Sequence, residues 1–389
     1  CHYAARWALE SSILSSDDKN KVNVGTLAVS RYIQIRKIFP TSDRPNYHDH
    51  DFPEPNSKLN PSGYLMLSSK DSSIPSSVKD ENGRDHLFCP VTGNLHLYLR
   101  AVRFHPSTAI NHANDLYTIM SRNIKPVVGV ISDGGPDWCF KSMHNIFIYG
   151  RLWKDLNLDY FGITQHAPGN SKENPIEHAW APLSRDLVGV TLRRRTEGMS
   201  EVQNFDHAIT ECLSYWKGGK YDDFMTDMTG VMGGSLPFPY NDFENIRSSF
   251  QSLRQDSEYA DEFRFILNHC TRRCHGIEYM KCFSHDCSHC TANVIQATTF
   301  MQQIHKQGCM SFSPAPDPAF PGHYQTYLDM KTMTVYDKLD NFCPSNTLGS
   351  CGYGCRYVFL SNTDWERHMK FMHPIQRREE MKAKRNKSK

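Results

Sequence analysis

The sequence predicts an α/β chain: a mixed sheet flanked by helices, followed by a helical extension and small Cys/His-rich modules. Three observations predict it. Val127–Ile131 is an unbroken apolar run rich in β-branched residues, as strands buried on both faces are, and it stops abruptly at Ser132-Asp133-Gly134-Gly135-Pro136-Asp137. Strand-like and helix-like periods alternate on either side of it. Ten of the thirteen cysteines fall at or after Cys212, mostly in tight groups with histidines, a pattern of metal sites rather than disulfides.

The elements follow in order. His2–Glu10 has helical character. Ser11–Ser16 and Val22–Gly25 read as the arms of a β-hairpin with Lys19-Asn20 near its tip. Arg31–Ile38 alternates like another strand. Pro40–Asp85 is rich in Ser, Pro, Asp and Asn and reads as a long, partly irregular surface insertion, with only Tyr64–Leu67 apolar. Leu95, Leu97, Leu99 and Ala101 alternate with His96, Tyr98 and Arg100, a half-buried strand. Ser107 is a candidate N-cap, and Ile110, Ala113, Tyr117 and Met120 form a helical stripe behind it. Val127–Ile131 is the next strand, Met143–Trp153 a helix and Leu158–Ile163 a strand. Three meandering strands before the first crossover helix imply a mixed sheet with helices on its faces.

After Asn174, Ile176, Trp180, Leu183 and Leu187 make a second stripe. Asn174 as N-cap, Pro175 at the first helical position and Glu177 three residues after the cap make a capping box. Glu201–Leu267 reads as mainly helical, broken at Gly218-Gly219, Gly230–Gly234 and Pro237–Pro239. The expected division is 1–195 with an insertion at about 40–90, a helical extension 196–268, a Cys/His-rich module 269–312, a Pro-rich linker 313–342, a finger 343–374 and a basic tail 375–389.

The chain has 389 residues, enough for two or three domains, and a formal net charge of +2. It opens on Cys1 rather than Met, as a fragment of a longer protein would. No signal peptide opens it and no apolar run reaches the ~18 residues of a membrane span, so a soluble, intracellular protein is expected. Its charge is uneven: Arg367–Lys389 carries nine Lys/Arg against two Glu. Such a tail suits phosphate contact or nuclear import as well as a solvated end.

Asp133 before Gly-Gly is ordinary turn chemistry, and Asp17-Asp18 also suits a hairpin turn. Only one of Asp17 and Asp18 can face the same side as the other acids, because successive strand residues point to opposite faces. Together, however, these segments resemble a known group. Ile131-Ser132-Asp133-Gly134-Gly135-Pro136-Asp137 resembles the second-acid strand of DDE transposases and retroviral-type integrases. Ala167-Pro168-Gly169-Asn170-Ser171 followed by Asn174-Pro175-Ile176-Glu177-His178-Ala179-Trp180 resembles the third-acid segment of mariner-type transposases. Ser16–Gly25 resembles the first-acid hairpin. Forty-three residues separate Asp133 from Glu177.

The resemblance covers roughly residues 1–190. It implies an RNase H-like fold, a catalytic triad of Asp17, Asp133 and Glu177 holding Mg²⁺ or Mn²⁺, double-stranded DNA as partner, a homo-oligomer and a nuclear location. Hard oxygen ligands suit these ions, and two of them can activate a water or 3′-hydroxyl and stabilise the leaving oxygen. His166 and His178 are candidate substrate-contacting groups or plain surface histidines. Arg193, Arg194 and Arg195 are candidate DNA-phosphate contacts or an exposed helix end. No N-terminal DNA-binding domain precedes Asp17, which departs from many full transposases.

Cys351-x3-Cys355-x12-His368-x4-His373 fits the Cys2His2 zinc-finger spacing. Phe359 and Trp365 stand where such a finger needs its small apolar core, and the Zn²⁺ supplies the stability that so small a unit lacks. Ser361, Asp364 and Arg367 occupy the base-reading positions, although a lone finger reads only about three base pairs and suits protein contact equally. In the second cluster, Cys287-x2-Cys290 is a zinc-knuckle pair, Cys282 a third ligand, and the fourth is Cys270, Cys274 or a histidine. The expected function is a transposase-like DNA recombinase. The alternative is a catalytically inactive, domesticated nuclear protein that binds DNA or protein through its zinc modules.

Overall fold

The computed structural model describes residues 7–29, 57–69, 76–79, 85–88, 91–140, 142–166, 174–193, 198–217, 221, 225–235, 259–273, 276–307, 349–350, 353, 358–359 and 362–387. The chain is mixed α/β and divides into two compact units. The first is Cys1–Arg122 with Lys172–Pro239; the second is Asn123–Ser171 with Tyr240–Lys389.

In the first unit, β1 (Ser11–Asp18) and β2 (Val22–Asn23) do not pair with each other as a hairpin. Both pair antiparallel with β3 (Lys58–Ser69). β3 lies inside the stretch expected to be a surface insertion, yet Leu59, Tyr64 and Leu65 are fully buried. A polar, Pro- and Gly-containing segment can serve as an inner strand because neighbours on both edges take up its backbone groups. β4 (Ser76–Lys79) and β5 (Asp85–Phe88) form a separate hairpin, and β6 (Val91–Thr92) pairs with the end of β3. β7 (Asn94–Ala101) runs antiparallel on the other edge of β3.

β7 is not half-buried. Its alternate residues His96, Tyr98 and Arg100 are buried along with its leucines. Arg100 is ion-paired with the buried Asp115, which sits on α1 (Ala109–Ser121). Tyr64 Oη donates to the same carboxylate at 2.8 Å. Buried charge is tolerated where it is paired and hydrogen-bonded. Thr108, rather than Ser107, caps α1 by accepting from Asn111 N.

In the second unit, β8 (Val127–Ser132), α2 (Met143–Asp155) and β9 (Tyr160–Gln165) form a parallel β-α-β crossover. The expected strands and helix are all present, with β9 shifted two residues toward the C-terminus. Ser142 caps α2.

The chain then returns to the first unit with α3 (Glu177–Asp186). Its stripe is as expected: Ile176, Leu183 and Leu187 are fully buried and Trp180 is 7% exposed. The capping box is absent, since α3 has no side-chain cap. Asn174 is bonded to β1 instead: its amide hydrogen-bonds Ser15 Oγ and donates to the Ser16 carbonyl at 3.1 Å. α4 (Glu201–Trp216) does carry a capping box, Ser200 with Gln203. The stretch expected to be a helical extension also contains a strand, β10 (Met225–Val231), parallel to β7.

The remaining described elements belong to the second unit. α5 (Ala260–Asn268) leads into β11 (Cys270–Arg273) and β12 (Gly276–Met280). β11 pairs with β12, and β12 runs antiparallel to β9. The Cys/His-rich segment is thus built onto this unit's sheet rather than standing as a separate module. α6 (Ser288–Ala292) and α7 (Thr298–Gln307) follow. A small hairpin of β13 (Gly349–Ser350) and β14 (Val358–Phe359) precedes α8 (Asn362–Met372), and α9 (Pro374–Lys387) takes up most of the basic tail. Arg31–Ile38 lies outside the described residues. Among those described, no helix is long and apolar enough to cross a membrane.

Candidate functional site

The second unit brings His269, Cys282, Cys287 and Cys290 together, with one ligand atom of each within 4.8 Å of all the others. His269 closes α5, Cys282 follows β12, Cys287 stands before α6 and Cys290 lies within it. His269 Nε2 is 3.4 Å from both Cys287 Sγ and Cys290 Sγ. A tetrahedral zinc site with Zn–S ~2.3 Å and Zn–N ~2.0–2.1 Å sets an N···S edge of about 3.5 Å. His269 stands almost at that spacing from both sulfurs, and Cys282 Sγ lies within 4.8 Å of the other three donors.

The imidazole is also correctly oriented. His269 Nδ1 is 2.8 Å from the Phe265 carbonyl, which can only accept, so Nδ1 carries the proton and Nε2 presents its lone pair to the thiols. Trp153 and Phe265 flank the ring at centroid distances of 5.5 and 4.4 Å. Burial pushes the Cys290 thiol up to about 12. Burial also raises Cys287, but hydrogen bonds from Cys290 and Cys282 outweigh it and hold that thiol below its usual value. A bound metal ion would supply the positive charge that favours thiolate ligands over thiols. This His/Cys3 cluster can hold zinc. Of the open alternatives for the fourth ligand, a histidine is the one present; Cys270 is buried on β11 and Cys274 lies outside the described residues.

The first unit holds an open cavity of about 1000 Å³ whose lining includes Asp17, Asp18, Lys19, Lys21, Lys58, Ser107, Glu177 and Trp180. Local sequence explains its acidic end. Ser15 Oγ accepts from Ile176 N at 3.1 Å, which together with the Asn174 bonds ties the start of α3 to β1, two residues before Asp17. Gly63 is the cross-strand partner of Asp17. A Cβ on Gly63 would lie 2.3 Å from Trp180 Cη2, so only glycine lets the indole lie across β3. From there Trp180 Nε1 donates to Asp17 Oδ2 at 3.1 Å. Asp17 is 8% exposed, and its Oδ1 accepts from Asp18 N at 2.8 Å.

Asp18 takes the opposite face, as strand alternation requires. Its Oδ2 accepts from Asn60 Nδ2 at 2.9 Å and from the Ser107 hydroxyl. Its Oδ1 is shielded from solvent and has no hydrogen-bond partner. Ser107 spends its one hydrogen on Asp18 and so accepts from His112 Nε2, 3.0 Å away. The half-buried Glu177 carboxylate has no hydrogen-bond partner among the described residues. Lys19 is 5% exposed, and burial lowers its ammonium to about 8. Carboxylates and ammonium groups thus line the same cavity.

The other expected residues are distributed as follows. Asp133 stands exposed just past β8 in the second unit, where its Oδ1 accepts from Gly135 N at 2.9 Å. Gly134 between them has φ +81, so Asp133 does perform the turn role. His166 follows β9, and His178 is exposed on α3. Arg193 is exposed, with its backbone N–H bonded to Glu211. Arg194, Arg195, Cys274, Cys351, Cys355 and Ser361 lie outside the described residues, as do the side chains of Asp364 and Arg367. His368 is buried and its ring centroid is 5.2 Å from that of His373. They follow the β13–β14 hairpin on and just after α8, in the ββα order of a Cys2His2 finger.

Sequence reasoning did not find Lys19, Trp180 or Ser107 as cavity residues, because their roles depend on contacts far along the chain. No protein-family model, curated protein or solved structure matches the chain.

Proposed function

We propose that the chain is a DDE-type, transposase-like polynucleotidyl transferase with an RNase H-like fold, acting on DNA in the nucleus. The observation that carries this reading is that Asp17, Asp18 and Glu177 line one cavity of the first unit, Asp17 and Asp18 from opposite faces of β1. Element order supports it: an antiparallel meander of β1, β3 and β7 precedes a helix, then comes the parallel β8-α2-β9 crossover, and α3 with Glu177 follows.

Asp17, Asp18 and Glu177 are of the hard oxygen type that Mg²⁺ or Mn²⁺ takes, but among the described residues their carboxylate oxygens do not close to within 4.8 Å of one another as the His/Cys3 donors do. Among the described residues the Glu177 carboxylate has no hydrogen-bond partner, and a carboxylate that accepts two N–H bonds, as Asp17 does, keeps lone pairs for an ion. When bound, divalent ions activate the attacking water or 3′-hydroxyl and stabilise the leaving oxygen. The protein's own contribution is to hold the carboxylates rigidly. Trp180 fixes Asp17, Ser107 and Asn60 fix Asp18, and the Asn174–Ser15 contact fixes the start of the Glu177 helix. The His/Cys3 centre serves as a structural zinc site, since four protein ligands leave no open position for substrate.

The test is Mg²⁺- or Mn²⁺-dependent nicking or strand transfer on plasmid DNA, with Asp18→Asn, Asp17→Asn, Asp133→Asn and Glu177→Gln run separately. Loss of activity in Glu177→Gln with zinc content intact supports the assignment; activity surviving that substitution overturns it. One observation favours a non-enzymatic nuclear binding protein instead: both Asp17 oxygens are already engaged by protein donors. Retained DNA affinity with no Mn²⁺ uptake by the chain would select that second reading.

A further inference from the structure

The cavity has a second chemical character that the acids do not explain. Lys19, Lys21 and Lys58 line it together with Asn20, Asn23 and Asn60. Lys19 is 95% buried by its 5% exposure, yet among the described residues its ammonium has no hydrogen-bond or ion-pair partner. Its chain neighbours do not neutralise it. The Asp17 carboxylate is turned to Trp180 Nε1, and Asp18 faces Asn60 and Ser107 on the other side of the strand. The nearby Cys212 thiol is held protonated by burial, which pushes it up to about 12. A buried cation is costly unless an anion meets it.

We propose that Lys19, with Lys21 and Lys58 at its rim, forms a phosphate-binding subsite that takes a backbone phosphate of the nucleic-acid strand beside the acids. The inference rests on the reading of the cavity as a phosphodiester site, and it assigns the strand-holding role to this unit's own lysines. Ammonium groups bind phosphate as point charges through charge-assisted hydrogen bonds. The acids alone would repel the same phosphate.

The experiment measures binding of the dinucleotide dTpdT and of inorganic phosphate to the full chain, without divalent metal, by ligand-observed NMR. Lys19→Met is expected to weaken dTpdT binding about ten-fold, the share of one charge-assisted hydrogen bond. Methionine keeps the buried stem and removes an unpaired charge, so the thermal midpoint should hold or rise. That combination separates a lost contact from misfolding. Weakening of dTpdT binding, with free phosphate weakened to the same or a smaller degree, supports the subsite. Equal dTpdT affinity in wild type and Lys19→Met overturns the proposal, as does weakening of inorganic phosphate alone. Failure of the catalytic reading is visible separately: it would leave DNA cleavage intact in Glu177→Gln and would not alter the metal-free binding measured here.

Discussion

The buried pair of Lys281 and Asp159 offers the sharpest test of how the unit with the His/Cys3 cluster is held together. Both side chains are 0% exposed, with Nζ and Oδ1 2.9 Å apart. Asp159 Oδ2 also accepts from Gln296 N and Ala297 N, each at 2.7 Å. Lys281→Met removes the cation but leaves the carboxylate its two amide donors. Breaking a buried pair from one side costs ~3–5 kcal/mol, and the remaining donors place this variant at the lower end. Asp159→Asn strands the ammonium and turns one acceptor oxygen into an NH₂ that must face another donor, which places it at the upper end.

The double variant removes both charges. Its cost should fall below the sum of the single variants by about 2–3 kcal/mol, the scale of coupling between contacting residues. Urea unfolding followed by circular dichroism, at fixed zinc, gives all three values. Additivity within ~0.5 kcal/mol would refute the pairing argument. Lys281 directly precedes the ligand Cys282, so both single variants should also release zinc to a chelator faster than wild type.

Three further outcomes are expected. Gly63→Ala places a methyl 2.3 Å from Trp180 Cη2 and 2.7 Å from Ile176 Cδ1; it should cost about 1–3 kcal/mol as overpacking, read as a lowered urea midpoint, and an unchanged midpoint would contradict the close approach of α3 to β3. Cys287→Ser should hold one zinc fewer per chain than wild type by metal analysis, while His269→Cys, which keeps a zinc-binding donor, retains it. For Glu262, burial alone would raise the carboxyl, but Arg151 and Lys154 outweigh it and hold it below the usual value of 4.5. A depressed folded-state value means the contribution is complete above the unfolded pKa and disappears as pH falls through the folded one. The stability gap between wild type and Glu262→Gln should therefore be full at pH 7 and close below about pH 4.5; a gap that widens in acid would contradict this.

Local patterns carried much of the architecture. The apolar run of β8, the spacing that makes α1, α2 and α3, and the leucine alternation of β7 depend on residues a few positions apart, and these elements stand close to where the sequence puts them. The readings that failed depend on distant contacts. Pro61, Gly63 and the serines of β3 look like loop composition, but Gly63 is required by Trp180, and the strand is covered on both edges. Asn174 has every local qualification for an N-cap, but Ser15 and Ser16 take its amide. Arg100 looks solvent-facing until Asp115 is placed against it. The thiol spacing pointed to three zinc ligands, whereas choosing His269 over Cys270 needed the Phe265 carbonyl that sets its tautomer.

Several of these failures fall around the cavity of the first unit. Sequence-level rules are expected to fail where function or strain overrides local preference. Lys19, placed near a hairpin tip by the sequence, lines the acidic cavity, and so does Ser107, read as a helix cap. Gly63 and Asn174 act one contact away, through Trp180 and through β1. A structural face would gain nothing from a buried ammonium and a shielded Asp18 oxygen, both without a partner among the described residues, or from a glycine in mid-strand. All three lower stability by themselves, and their concentration around one cavity is what a binding site for a charged ligand requires.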